Sequence, residues 1–119
     1  MRKFKTGATR NDDPGLEPWG FTSALVEKVF SEYMNSHRMQ ADGEMRDSNN
    51  WTKGIPLDAY WHSLSRHVLD LRLLWEGFRS EAREQDMLTV LAAIRFNVDG
   101  MIYELKKTEL EAMKGKIDG

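Results

Sequence analysis

The chain has 119 residues, 40% hydrophobic and 30% charged, with a net charge of -2 and no cysteine. That length bounds it to one domain, 1–119, with a single modest core. The charge lacks the basic excess expected of a protein that binds duplex nucleic acid. Without cysteine there are no disulfides or thiolate metal sites, which fits a reducing cytoplasm. The basic start, Met1 to Lys5, is followed by no apolar run and does not read as a signal peptide. No stretch approaches the ~20 apolar residues needed to span a bilayer, so no membrane association is expected.

Residues 1–20 read as an extended, irregular arm. Asn11-Asp12-Asp13-Pro14-Gly15 is dense turn chemistry. Trp19 and Phe21, flanking Gly20, are expected to anchor the arm to the core. Lys3, Lys5 and Arg10 make it either a solvated terminus or a strap over a ligand's phosphates. A first helix is predicted over 22–38, capped by Thr22 or Ser23. Leu25, Val26, Val29, Phe30, Tyr33 and Met34 form its apolar stripe, and His37 extends it by a turn. Glu27 and Glu32 are offset around the axis and read as solvated.

Residues 39–55 form a long polar connection. A loop of that length in a compact domain is functional or disordered, and Trp51 as an anchor argues for the former. Gly54 tolerates backbone angles that other residues avoid, and Pro56 suits a first helical turn. A second helix is predicted over 56–76, with apolar residues at 57, 60, 61, 64, 68, 71 and 75 and a stop at Gly77. Trp51 thus precedes a helix N-terminus, whose unpaired amides and partial positive charge attract anions. It is either an aromatic platform for a nucleotide or a plug in the end of a bundle. Arg66 and Asp70 are one turn apart and are expected to pair at the surface for about 0.3 kcal/mol. His67, on the edge of the stripe, is either a hydrogen-bonded core residue or a ligand-binding one.

A third helix is predicted from about Glu84 to 110–113, with a near-heptad seam running from Met87 to Leu105. Gly100 within it costs about 1 kcal/mol relative to alanine, which points to the close approach of another helix or a ligand. The tail, 114–119, is expected to fray. The expected core is Phe30, Leu64, Trp75, Leu91 and Ile94. The fold class is all-α: a small bundle of three main helices with an extended N-terminal arm and no sheet. A lone three-helix domain struggles to cover both the seam and four tryptophans, so a homodimer is expected.

No Ser-His-Asp or Cys-His order, phosphate-cradling glycine loop or His-x-x-x-His pair is present. Asp86 and Asn97 lie along one line of the third helix, three turns or ~16 Å apart. They are too distant to share an ion, but they could frame opposite ends of a nucleotide-sized ligand. The structural alternatives are a helix start for Asp86 and a bond to a neighbouring loop for Asn97.

Several runs carry more than spacing. These are Gly7-Ala8-Thr9-Arg10, then Gly20-Phe21 opening a helix that ends Glu32-Tyr33-Met34, then His37-Arg38. Gln40-Ala41-Asp42-Gly43 and Arg46-Asp47-Ser48-Asn49-Asn50-Trp51 with Lys53-Gly54-Ile55-Pro56 follow. Ser65-Arg66-His67 and Phe96-Asn97-Val98 complete the set. Across roughly residues 7–105 the chain resembles small tailed-phage proteins described as the N-terminal domain of a dATP/dGTP diphosphohydrolase. The Asn-Trp-x-x-Gly and Arg-His elements are the most specific parts.

The resemblance implies an all-α fold, a phage origin, the host cytoplasm and a role around purine deoxynucleotides. It also implies a magnesium-dependent pyrophosphohydrolase. The matching positions are Arg10, Asn50, Trp51, Arg66 and Asn97 as ligand-binding residues, with His67 and Asp86 as catalytic ones. The chain departs from more distant relatives, which carry histidines one and two turns before the final Asn. Here those positions are Ala93 and Val90, and a metal site built on them would be missing. Trp51, Arg66 and His67, with Asn97 opposite, are expected to border one purine-nucleotide pocket. The rival expectations are a protein that sequesters a nucleotide without cleaving it, and a helical protein that blocks a host factor.

Overall fold

The stop signals and periodicities of the sequence become three helices in the computed structural model, which describes residues 1–11 and 15–118. The Asp12-Asp13-Pro14 part of the expected turn lies outside them. The first of the helices, α1, spans Ala24–Ser36 and is capped by Ser23, whose Oγ accepts from the Val26 amide at 3.4 Å. The second, α2, spans Leu57–Trp75 behind Pro56, whose φ of -60° leads into the first turn. It ends at Gly77, where φ is +89°. The Phe78 amide donates to Leu73 O and the Gly77 amide to Leu74 O, the paired bonds that close a helix through a left-handed residue. The third, α3, spans Met87–Asp118, so the chain expected to fray from residue 114 continues the helix. Asp86 caps it: its Oδ2 accepts from both the Thr89 amide, at 3.1 Å, and the Thr89 hydroxyl, at 2.6 Å.

The arm is more regular than expected. β1 (Arg2–Lys3) and β2 (Thr9–Arg10) pair antiparallel, with Arg2 opposite Arg10 and Lys3 opposite Thr9. This hairpin is a tiny two-stranded sheet appended to an all-α bundle. Trp19 and Phe21 do not anchor the arm. They sit in a 3-10 turn with 75% and 85% of their surface exposed.

α2 and α3 form the antiparallel pair on which the rest is built. At one end the Tyr60 ring packs edge-on to Phe96, with centroids 5.8 Å apart, and lies over Gly100. At the other end Asp70, buried, accepts from the Arg83 amide at 3.1 Å and from its guanidinium at 3.0 Å. Asp70 therefore faces inward, away from the surface partner expected for it, and Arg66 is exposed. Between these ends Val90, Ala93 and Asn97 are buried. α1 crosses a second side of α3. Arg95 donates to Glu27 at 2.9 Å and stacks over the Phe30 ring at 4.1 Å, so Glu27 is an inter-helix partner and not a merely solvated residue.

The core is not the expected five residues: its buried apolar side chains are Tyr60, Ala82, Val90, Ala92 and Ala93. Phe30, Leu64 and Ile94 are half-buried, whereas Leu91 is 43% exposed and Trp75 82%. Periodicity groups residues on a face, but it does not supply a neighbour to cover that face. The chain is correspondingly elongated, with a radius of gyration of 20.1 Å and extents of 64 × 45 × 32 Å. No helix among the described residues is long and apolar enough to cross a membrane.

Candidate functional site: a cleft between α1 and the polar connection

The polar connection is ordered by its own arginines. The Arg46 amide donates to Arg38 O at 2.7 Å, and Arg38 Nε donates back to Arg46 O at 2.8 Å. Arg46 Nη2 reaches the His37 carbonyl. Met39 and Met45 form an isolated antiparallel bridge, and Gly43, at φ +85°, turns the chain between them. The Asp42 carboxylate accepts from the Glu44 amide at 2.9 Å and fixes that turn. Residues 38–46 are thus a clasp. Beyond it a 3-10 turn, Asn50–Lys53, delivers Trp51 edge-on to Tyr103 of α3, with centroids 4.8 Å apart and planes at 70°.

The clasp and the Trp51 turn stand off from the helices and leave a cleft of about 640 Å³. α1 lines one side with Phe30, Tyr33 and Met34, the connection lines another with Asn50, Trp51 and Ile55, and α3 contributes Phe96, Asp99 and Gly100. His37, Arg38 and Arg46 line it too, with Asp47 beside them. The two guanidiniums are positioned by carbonyl acceptors, and each keeps further N–H groups for an incoming anion. Tyr33 stacks against His37 at 4.3 Å. Burial, reinforced by the Glu84 carboxylate, pushes its hydroxyl above the ordinary phenol value, so it remains a donor at neutral pH.

Of the residues singled out in the sequence, Asn50 and Trp51 line this cleft, while Arg10, Arg66, His67, Asp86 and Asn97 do not. Arg10 pairs in the terminal hairpin and Arg66 is exposed on α2. His67 is half-buried, with Nδ1 enclosed and unpartnered. Burial, aided by the positive charge of Arg83, lowers its pKa and keeps the ring neutral near pH 7. Asp86 serves as the helix cap, and its bonds from Thr89 hold the carboxyl below the usual range. Asn97, 3% exposed, donates from Nδ2 to Ala93 O at 2.8 Å within its own helix. Val90 and Ala93 are enclosed packing positions. The expected grouping of Trp51, Arg66, His67 and Asn97 around one cavity is therefore replaced by a cleft that keeps only Trp51 of the four.

Sequence reasoning missed Tyr33, His37, Arg38, Arg46, Asp47 and Asp99 as a constellation. A signal was there: His37-Arg38 and Arg46-Asp47 both fall in the runs that carry the phage resemblance. Among the described residues, no three or more histidine, aspartate or glutamate side chains gather where they could hold a metal. Asp70 is engaged by Arg83, Asp86 caps a helix, and Asp99 accepts from Arg95 Nε at 3.3 Å. No family model, no curated protein and no solved structure matches the chain.

Proposed function

We propose that this protein binds a purine deoxynucleotide in the cleft between α1 and the connection, with a second copy of the chain as its partner subunit. In this reading it is phage-encoded and acts on the nucleotide pool of the host cytoplasm. One observation carries the reading. A single cleft of nucleotide size joins the aromatic rings of Trp51, Phe30, Tyr33 and Phe96 to His37, Arg38 and Arg46. A base needs an apolar slot with a π-face to stack on, and Trp51 and Tyr33 offer one. Asn50 has both a donor and an acceptor for a base edge. Phosphate needs fixed donors, which the anchored Arg38 and Arg46 forks supply.

Binding without turnover is the first form of this reading, since the aromatic rings and the anchored Arg38 and Arg46 forks can hold a nucleotide without a metal. Hydrolysis to release pyrophosphate is the second reading, and Asp47 and Asp99 favour it because both line the same cleft. Magnesium is commonly held by one or two carboxylates together with substrate phosphates, and these two residues would hold it here, where it would offset phosphate charge. The test is a panel of deoxynucleoside mono-, di- and triphosphates, scored for retained ligand and for pyrophosphate released with magnesium. Retention of dATP or dGTP without release supports sequestration, and release supports the enzyme. The absence of both retention and release across the panel would rule out the nucleotide reading.

A further inference from the structure

The accessible surface of the chain is 9724 Å². A compact monomer of 13.8 kDa exposes about 6,600 Å², and its radius of gyration would be near 13.5 Å, against the observed 20.1 Å. The surplus, roughly 3,000 Å², far exceeds the ~800 Å² per partner that a stable dimer buries. Its apolar part is not scattered. At 100° per residue, Leu88, Leu91, Val98, Ile102 and Leu105 fall on one face of α3, and they are 59%, 43%, 38%, 60% and 56% exposed. The spacing 88–91–98–102–105 is that of a two-helix seam, ~26 Å long at the standard rise.

The remaining faces of α3 are occupied. Val90, Ala93 and Asn97 are buried between the Tyr60 and Asp70 contacts with α2, and Arg95, on the α1 side of the leucine-bearing face, turns toward Glu27 of α1. The packing of Tyr60 against Phe96 and Gly100 places the start of α2 near the middle of α3, so the last turns of α3 run on beyond the pair. Leu110 and Met113 stand 53% and 51% exposed there. A helix end with apolar side chains and no neighbour is marginal in water by itself.

We infer that this face of α3 pairs with the same face of a second copy, antiparallel, about a twofold axis near Arg95 and Val98. The inference refines the dimer named in the proposed function and is independent of the nucleotide. Antiparallel pairing sets Leu88 against the partner's Leu105 and Leu91 against the partner's Ile102. It also lays residues 97–106 of each α3 along residues 87–96 of the other. A parallel pair would set Arg95 beside the partner's Arg95, whereas antiparallel pairing sets each Arg95 beside the partner's Val98.

The chain has no cysteine, so disulfide trapping reports the geometry directly. Two variants, Leu91→Cys and Ile102→Cys, are oxidised separately and after mixing and exchange. The expected result is a disulfide-linked dimer in the mixture and little in either variant alone. Linkage within each single variant would mean a parallel pair and overturn the arrangement. Sedimentation of the parent provides the second measurement. A dimer is expected at 10–100 μM, on the order of many specific interfaces, and Ile102→Glu should shift it to monomer with its far-UV spectrum unchanged. A parent that stays monomeric across that range, with no linkage in the mixture, overturns the interface. The nucleotide panel is scored separately on the same samples, so failure of the dimer and failure of nucleotide binding are told apart.

Discussion

Gly100 lies directly beneath the ring of Tyr60: a Cβ added there would stand 2.6 Å from Tyr60 Oη and nearer still to two ring carbons. Tyr60 is 1% exposed, so its ring has little room to retreat. In Gly100→Ala, alanine's better helix propensity contributes about 1 kcal/mol, but the overpacked contact outweighs it. We expect a net loss of about 2 kcal/mol, read as a lower urea midpoint. Trimming the ring in the double variant Tyr60→Leu/Gly100→Ala should recover most of the interaction, and simple additivity of the two changes would disprove the clash.

The hydroxyl of the same tyrosine is enclosed without a partner, and burial beside the Glu104 carboxylate raises its pKa. Removing an unpartnered buried hydroxyl relieves a desolvation cost. Tyr60→Phe is therefore expected to be neutral or to stabilise by up to about 1 kcal/mol. A loss of more than that in thermal unfolding would reveal a partner for the oxygen.

His67 and Asp70 set the acid side of stability. Burial lowers the pKa of His67 from its ordinary 6.5, so the folded state takes up its proton at lower pH than the unfolded chain does. The stability it contributes is complete above pH 6.5 and is lost as pH falls through the folded pKa. For Asp70, burial pushes the pKa up, but the amide and guanidinium of Arg83 more than offset this, and the net value lies below the ordinary 3.8. That contribution is present above 3.8 and is lost as pH falls through the folded pKa. The melting temperature should decline in two stages, and His67→Gln should flatten the first. An unchanged slope between pH 5 and 7 in that variant would remove His67 from the account.

Asp70 is also the more costly half of its ion pair. Asp70→Ala strands the Arg83 amide, while Arg83→Ala leaves Asp70 its backbone donor. We expect about 1–3 kcal/mol for the first and less for the second, whose guanidinium is half in solvent. Equal losses in denaturant titrations would show that the guanidinium, and not the amide, dominates.

Within the cleft, Trp51→Ala should weaken dATP or dGTP binding by tenfold or more, in line with about 1–3 kcal/mol per stacked base. Arg38→Ala should weaken triphosphate more than nucleoside. Arg66→Ala, on exposed α2, should bind as the parent does. Isothermal titration of the three proteins separates the cases, and a loss confined to Arg66→Ala would move the site off the cleft.

Local chemistry was legible in the sequence. The helix stop at Gly77, the cap at Ser23, the helix-start reading of Asp86 and the close approach at Gly100 each follow from a residue and its immediate neighbours. Facts set by distance along the chain were not. Asp70 and Arg83 are brought together across a reversal of direction, so a one-turn rule assigned Asp70 to Arg66. Leu91 and Trp75 carried the right periodicity for burial, but periodicity does not say whether a neighbour covers the face. For the site, Trp51 was legible as the anchor of an ordered connection, and Asn50 only through the resemblance. Arg38 and Arg46 were not, because the clasp that positions them depends on backbone carbonyls, which every residue has.

The α2–α3 hairpin is joined by residues 76–86 alone and closes with little loop entropy, whereas α1 must dock through the longer connection 37–56. We expect the walls of the cleft to come from segments that assemble at different moments. We expect native-state hydrogen exchange to show α1 and the clasp opening as one sub-global unit, at lower free energy than the hairpin. An occupant of the cleft would touch both units at once and so merge two steps of unfolding into one. A nucleotide that binds there should slow exchange across α1 more than across α2, although it lies against only one side of α1.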